Sequence, residues 1–243
     1  MTVVYGIVRE EAQVEGAPPG IAGAPVGRVA AGGLAALVSP VDGSELRATR
    51  RDLLSHSAVL EHAVARGPVL PLRFGTVLRD ENAVVSELLE PRRDELAGLL
   101  DRFERLVELR VKAFHLEDEL LREIVRDDPA VARLRAATQD VPEAASYPQR
   151  LQLGEAVGRA LEARRAEDAD AILRTLRPLA EEVAVDEESA GLVLTASFLV
   201  DRERVAAFDE AMDGLARRHE GRIRFKYLGP LPPHSFVSVA GAA

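Results

Sequence analysis

GPVLPLRFGT (residues 67–76) interrupts a helical pattern with a short apolar run. Gly67 and Pro68 end the preceding helix, because glycine favours backbone angles that a helix cannot continue and proline lacks the next amide hydrogen. The apolar residues that follow are too few for a buried helix and indicate an extended segment over a core. Pro71 removes one hydrogen bond from any sheet it joins, so we predict an edge strand or an irregular extended strip.

Arg73 is the one charged residue between Gly67 and Leu78. We expect burial at this position, and a buried arginine needs a carboxylate or several carbonyl groups as partners. Two interpretations remain open. Arg73 is either a structural arginine that ties two elements together or a recognition residue for a partner chain, and Phe74 belongs to the same candidate surface.

The composition is that of a globular chain with few routes to nucleic acid or thiol chemistry. Hydrophobic residues make up 47% and charged residues 29% of the 243 residues, as is typical of folded domains. The net charge of −9 disfavours nucleic acid, whose phosphates require a basic surface, and 4% aromatic residues leave few platforms for base stacking. The absence of cysteine excludes disulfides and thiolate sites. With no secretory signal and no stretch long enough for a membrane span, we expect a soluble cytoplasmic protein without a membrane partner.

Residues 1–104 have the pattern of an α+β domain. The β-branched segment VVYGIV (residues 3–8) predicts a strand buried on both faces. A hairpin signal, AGG at residues 31–33, separates two further strand segments at residues 26–30 and 34–38. In the helix that follows, His56 shares an apolar stripe with Leu53 and Leu60. His62, six residues from His56, lies off that face, so the pair does not predict a metal site.

We place a second domain at residues 105–243. Residues 107–114 (VELRVKAF) alternate with the two-residue period of a strand that has one covered face. A turn-prone linker with Pro142 and Pro148 comes next, then a helical segment at residues 149–183. The apolar segment at residues 192–200 predicts a central strand, followed by a helix and a half-exposed strand at residues 223–227. This order fits a ferredoxin-like split βαβ sheet, although one strand is missing unless residues 235–239 supply it.

The sequence offers no convincing site for chemistry. Ser55 and His56 are neighbours on a predicted helix and point in different directions, so with Glu61 they do not form a hydrolase triad. The glycine-rich segment EGAPPGIAGAPVG precedes a strand, whereas a dinucleotide-binding turn precedes a helix. We therefore predict no catalytic residue, no cofactor and no metal, and a protein that is not an enzyme. The alternative is a ferredoxin-like small-ligand-binding module or enzyme with a site near His56 and Arg73.

The segment KYLGPLPPHSF (residues 226–236) is stiffened by its prolines and glycine. One interpretation is that this tail straps across its own sheet. The other is a docking surface that loses little entropy on binding, because proline already restricts it. The candidate partner-binding residues of the tail are Tyr227, Leu228, Pro230, Pro232, Pro233, His234 and Phe236.

Three motifs together, LPLRFGT, VELRVKAF and YLGPLPPHSF, resemble the gas vesicle protein F/L family. YGIV near the start and LVLTASFLVD near residue 200 fit the same pattern, so the resemblance spans almost the whole chain in order. It implies a two-domain α+β accessory protein with a ferredoxin-like C-terminal domain and no catalytic residues. It also implies a minor structural or assembly protein, associated with gas vesicles, that binds the small hydrophobic shell protein and other accessory proteins. The motifs do not separate F from L members, and a purely structural oligomer is a third possibility.

Overall fold

The computed structural model describes residues 1–42, 49–186 and 192–237, which form a mixed α/β fold with two antiparallel sheets. The first sheet consists of β1 (Thr2–Arg9), β2 (Gly27–Ala31), β3 (Leu34–Pro40), β4 (Leu70–Pro71) and β5 (Val77–Leu78). The second consists of β6 (Leu106–His115), β7 (Glu182–Val185), β8 (Leu194–Asp201) and β9 (Ile223–Leu231). The helices are α1 (Arg50–Val64), α2 (Glu81–Ala83), α3 (Arg93–Arg102), α4 (Glu117–Asp127), α5 (Pro129–Thr138), α6 (Glu143–Leu176) and α7 (Val205–Arg218), and α2 continues into a π-helical segment, Val84–Leu89.

The first sheet has the strand order β2-β3-β1-β4, with β5 also paired to β1. Strand β1 is buried along almost its whole length, and β2 and β3 form the predicted hairpin. Pro71 lies opposite Gly6 on the edge strand β4, so the prediction of an edge position is confirmed. Gly6 allows this close pairing, because a Cβ atom there would lie 2.8 Å from the carbonyl oxygen of Leu70.

The strip after β4 leaves Arg73 exposed. The expectation that this arginine is buried is therefore wrong. The extended run is shorter than its apolar composition predicts: Leu70 and Leu72 are buried, but a turn begins at Arg73, where Thr76 donates from both its amide and its hydroxyl to the Arg73 carbonyl. The turn directs the chain into β5 and leaves the guanidinium in solvent.

The second sheet has the strand order β7-β8-β6-β9, so the apolar segment near residue 200 is central, as predicted. The strand that the sequence pattern left unassigned is β7, at the end of the segment predicted to be helical. Helix α6 stops at Leu176, and a 3₁₀ turn containing Pro178 follows it. Residues 234–236 form a turn rather than the suggested strand, and residues 238–239 lie outside the described ranges.

Helix α6 also begins earlier than predicted, at Glu143, and Pro148 lies inside it. The prediction that Pro148 interrupts the helix is therefore wrong. Pro148 is the sixth residue of the helix, beyond its first turn, so the helix continues through it with the loss of one backbone hydrogen bond. Among the described residues, no helix is long and apolar enough to cross a membrane.

Contacts divide the chain into two compact units, each assembled from separate segments. The first comprises Met1–Arg110, Ser197–Glu203 and Leu228–Ala243, and the second comprises Val111–Ala196 and Arg204–Tyr227. The core of the first unit includes β1, β3, the π-helical segment and α3, with Phe236 and Val237 packed against it. A smaller core in the second unit joins α4, α5 and α6. The predicted boundary between residues 104 and 105 concerns independently folding domains and stays a prediction.

Candidate functional site

A fully buried carboxylate, Glu108, is the main departure from the pattern predicted for β6. The alternation of residues 107–114 predicts that Glu108 lies on the open face of the strand, but its side chain is 0% exposed. The Ser235 amide donates to Glu108 Oε2 over 2.8 Å, and the Ser235 hydroxyl donates to Oε1 over 2.9 Å. The tail therefore covers this face of β6.

Two further side chains complete the hydrogen bonding around Glu108. Ser197, on β8, donates its hydroxyl to Oε1 over 2.8 Å, and the Arg110 Nη2 atom donates to the same oxygen over 2.9 Å. Arg110 also donates to the hydroxyl oxygens of Ser197 and Ser235. A buried carboxylate requires compensation of this kind, since burying an unpaired charge is strongly unfavourable. We call these four residues the Glu108 network.

The rest of the tail is also fixed against its own unit. Pro232 and Pro233 are buried, and Phe236 packs against the first core. At Gly229 the backbone has φ of 154°, and a Cβ atom there would lie 2.5 Å from Leu109 Cδ2. The tail thus straps across its own sheet, the first of the two interpretations offered by the sequence.

Some of the predicted partner-binding residues nevertheless remain open to solvent. Leu228 is 40% exposed, and Pro230, His234 and Arg73 are also exposed. Phe74 is half-buried, with its ring edge-on to the imidazole of His56 at a centroid distance of 5.6 Å. The accessible part of the candidate surface is therefore smaller than the sequence predicts.

Tyr227 belongs to the second unit and is half-buried. Its ring stacks on Phe208 at a centroid distance of 5.9 Å, and its hydroxyl donates to Asp209 Oδ1 over 2.6 Å. Burial raises the pKa of Tyr227, and the bond to Asp209 adds to the effect. The hydroxyl therefore remains a hydrogen-bond donor, and the side chain ties β9 to α7.

His56 lies in the core of the first unit beside the rings of Tyr5 and Phe74, at centroid distances of 5.4 and 5.6 Å. Burial, with a smaller contribution from the charge of His234, lowers the pKa of His56 to about 4. Its Nε2 atom has no hydrogen-bond partner within the described part of the chain. Arg73 is exposed, whereas His56 is 5% exposed.

A second polar cluster, which the sequence did not predict, lies in the second unit. Asp168 on α6 accepts hydrogen bonds from Arg222 at both carboxylate oxygens, and His115 Nε2 lies 2.8 Å from Asp168 Oδ2. Arg222 also donates to Glu123 over 3.0 Å. Burial alone would raise the pKa of Asp168, but the His115 hydrogen bond and the Arg222 charge outweigh it and lower that pKa. The cluster joins α4, α6 and the ends of β6 and β9.

These clusters connect elements of the fold. Asp168 and Glu108 both have their hydrogen-bonding capacity occupied by protein groups. Over residues 1–42, 49–186 and 192–237, no group of three or more histidine, aspartate or glutamate side chains is arranged to hold a metal ion. Arg222 and Arg110 are likewise engaged by neighbouring carboxylates.

The fold is that of a gas vesicle protein. The chain matches the crystal structure of the gas vesicle protein GvpF from Anabaena sp. PCC7120 with a TM-score of 0.83, covering 99% of each chain at 24% identity. The GvpF structure from Microcystis aeruginosa matches with a TM-score of 0.77, over 97% of this chain and 98% of that chain at 23% identity. Likeness at this level of identity establishes the architecture.

Sequence comparison identifies the family. The model of the gas vesicle synthesis protein GvpL/GvpF family matches residues 1–238. The chain is 37% identical to Gas vesicle protein F of Streptomyces sp. (strain CB03234), over 97% of this chain and 99% of the relative. Gas vesicle protein L of the same strain is 32% identical, over 98% of this chain and 92% of the relative. The chain belongs to the GvpL/GvpF family, and the resemblance inferred from its motifs is confirmed.

Proposed function

We propose that this protein is a gas vesicle accessory factor, a minor structural component or assembly factor that binds the small hydrophobic shell protein while vesicles form. The proposal places it in the cytoplasm, associated with gas vesicles, with other accessory proteins as further partners and without a catalytic role. The observation that supports the proposal is the match of the gas vesicle synthesis protein GvpL/GvpF family model across residues 1–238.

The proposed activity answers a physical problem of shell assembly. A subunit that will form a gas-facing wall exposes apolar surface before it is incorporated, and such surface aggregates unless another protein covers it. Strand addition at a sheet edge is one way to hold such a subunit. Strand β2 is at the edge of the first sheet, and most of its residues are exposed.

We propose that the shell protein contacts the strip at Arg73 and Phe74 together with the accessible part of the tail. Leu228, Pro230 and His234 would make direct contacts. Pro232, Pro233 and Phe236, which are buried or packed, would support these residues from behind, and Tyr227 would hold β9 against α7. The Glu108 network favours this role, because a surface already held in one conformation loses less entropy on binding.

We also infer that the second sheet and its helices form a ferredoxin-like domain within residues 105–243. The strand order β7-β8-β6-β9, with helices between β6 and β7 and between β8 and β9, supports this inference. A fragment of residues 105–243 should unfold cooperatively on heating, with a circular dichroism spectrum of mixed helix and strand. A fragment that is unfolded at 20 °C would contradict the proposed domain.

Co-purification tests the proposed function directly. The tagged protein and the gas vesicle shell protein are expressed together, and we expect the shell protein to be retained on the affinity resin. Phe74→Ala and Tyr227→Ala variants that keep the wild-type circular dichroism spectrum should retain less shell protein. Leu151→Ala is a matched control, because Leu151 is 56% exposed and lies outside the proposed surface.

Fractionation of intact floating gas vesicles distinguishes a minor structural component from an assembly factor. Protein that remains with floating vesicles after washing is a minor structural component, whereas binding without such retention indicates a transient assembly factor. Wild-type binding by both the Phe74 and Tyr227 variants would place the contact on another surface. Failure of the wild-type protein to retain the shell protein would refute the proposed function.

A further inference from the structure

An apolar groove with a basic end lies on the outer side of α1, in the first unit. Its volume is 590 Å³. One wall is the loop at Pro18 and Pro19, and the other is formed by Leu54 and Ala58 of α1. Ser55 also lines the groove, and Arg50 and Arg51, from the first turn of the same helix, complete the lining.

Two adjacent leucines of α1 are unusually open to solvent. Leu54 is 60% exposed and Leu53 is 44% exposed, whereas His56, Leu60 and Val64 are buried on the inner face of the helix. A single exposed leucine is ordinary on a protein surface. Leu54, however, lies in a shallow groove beside two prolines, where a partner side chain would remove apolar surface from water.

The charges at the groove are the reverse of what helix stability favours. Cations in a first helical turn oppose the helix dipole. Within the described ranges, neither Arg50 nor Arg51 has a carboxylate at ion-pair distance. Asp52, the acid of that turn, is bonded to the Thr49 hydroxyl over 2.6 Å and accepts from the Ala22 amide over 3.4 Å. Among the described residues, these two arginines thus have no carboxylate partner at an apolar groove, on a chain of net charge −9.

We infer that this groove docks an acidic amphipathic segment of another protein. Apolar side chains of the segment pack against Leu54 and Pro19, and its carboxylates pair with Arg50 and Arg51. The charge pattern favours this occupant, because the net negative charge of the chain repels an acidic segment elsewhere while the two arginines attract it over about 8 Å at physiological salt. The inference is independent of the proposed binding of the shell protein.

The chain contains no tryptophan, so Leu54→Trp places a single fluorescent reporter in the groove. The probes are two capped twelve-residue peptides with the same helical face of leucine and alanine, one with glutamate on its polar face and the other with lysine. The glutamate peptide should shift the tryptophan emission to shorter wavelength, and the lysine peptide should not. Raising the NaCl concentration from 50 to 500 mM should lower the affinity for the glutamate peptide by several fold. Anisotropy of a fluorescein-labelled glutamate peptide with the wild-type protein checks that the tryptophan does not create the site.

Charge reversal provides the decisive comparison. The double variant Arg50→Glu/Arg51→Glu should bind the glutamate peptide at least tenfold more weakly and should gain affinity for the lysine peptide. Arg217→Glu/Arg218→Glu makes the same change in net charge at two exposed arginines of the second unit, and it should leave binding unchanged.

Three results would overturn the inference. Equal binding of the two peptides would show that charge does not select the occupant. Equal loss in both charge-reversed variants would show a general charge effect rather than a site. A blue shift that grows with protein concentration in the absence of peptide would show that a second copy of the chain fills the groove.

Discussion

Replacing Glu108 with alanine should release the tail from the sheet and destabilise the first unit. The carboxylate accepts from the Ser235 amide and from the hydroxyls of Ser197 and Ser235, and it pairs with Arg110. Truncation to alanine leaves these donors around a space that no longer contains an acceptor. Because the site is covered by the tail, the simplest way to rehydrate the donors is for the tail to detach.

The expected loss follows from the exposure of each partner. Removing one member of a buried ion pair destabilises a protein by about 3–5 kcal/mol. We expect the lower end, about 3 kcal/mol, because the Arg110 side chain is 35% exposed and its guanidinium can regain water. Glu108→Gln keeps the shape but presents an NH₂ group to one of the donors, so its loss should be smaller, about 2 kcal/mol.

Two measurements detect the release of the tail in Glu108→Ala. Urea unfolding monitored by circular dichroism gives the change in the free energy of unfolding. Hydrogen exchange with mass spectrometry should show faster exchange in a peptide covering residues 228–237, whose amides at Ser235, Phe236 and Val237 are hydrogen-bonded in the native protein. Glu203→Ala is the control, since Glu203 is 79% exposed and its ion pair with Arg105 lies at the surface, where such pairs contribute little to stability.

A Glu108→Ala variant within 1 kcal/mol of wild type, with unchanged exchange in the tail, would refute the reasoning. It would mean that the apolar contacts of Phe236 hold the tail without the carboxylate. Loss of stability with a protected tail would instead place the role of Glu108 in the pairing of β6 with β8.

Three further predictions concern other parts of the chain. The free energy of unfolding should fall as pH drops from about 6.5 to about 4, by at most ~1.4 kcal/mol per pH unit. In this range unfolded His56 takes up a proton, whereas the buried imidazole, with a pKa of about 4, does not. Urea titrations of His56→Gln should lack this component. Asp168→Asn should cost about 2 kcal/mol in urea titrations, because the amide keeps the shape of the carboxylate but removes its charge and turns an NH₂ group toward one of its donors, Arg222 or His115; a loss no larger than that of an exposed aspartate would contradict this. In thermal melts, Gly98→Ala should stabilise the protein by about 0.5–1 kcal/mol, because its new Cβ atom meets no atom within 4 Å. Gly6→Ala should destabilise the protein, because its new Cβ atom would contact the Leu70 carbonyl. Equal melting temperatures for the two variants would be inconsistent with both expectations.

The periodicity of hydrophobic residues was sufficient to predict the strands whose buried positions follow a regular pattern. The segments around β1, the β2–β3 hairpin and β8 were all predicted, because β1, β3 and β8 each lie between neighbouring strands and a glycine turn marks the hairpin. Strand β7 was missed for the opposite reason. It has four residues with mixed exposure and follows a long helix, so its sequence has too few positions to show a period.

Glu108 was missed because its environment is formed by distant parts of the chain. Its partners Ser197 and Ser235 are 89 and 127 residues away in sequence. Alternation correctly placed Glu108 on the face of β6 opposite Val107 and Leu109, but it contained no information about what covers that face. The same holds for Asp168, whose partners His115 and Arg222 are 53 and 54 residues away. A charged residue in a strand therefore predicts a face, and only the fold determines whether that face is exposed.

The burial of Glu108 under the tail also bears on the role of the tail, for which the sequence supported either a strap or a docking surface. A strap held by Glu108 and Phe236 still leaves surface accessible to a partner, because Leu228 and Pro230 remain exposed at its start. It fixes where those residues are, and a fixed surface loses less entropy when a partner binds. If the tail is both a strap and a docking surface, weakening the Glu108 network should reduce shell-protein binding even though Glu108 itself is buried. If Glu108→Gln releases the tail without changing that binding, the tail is a strap alone.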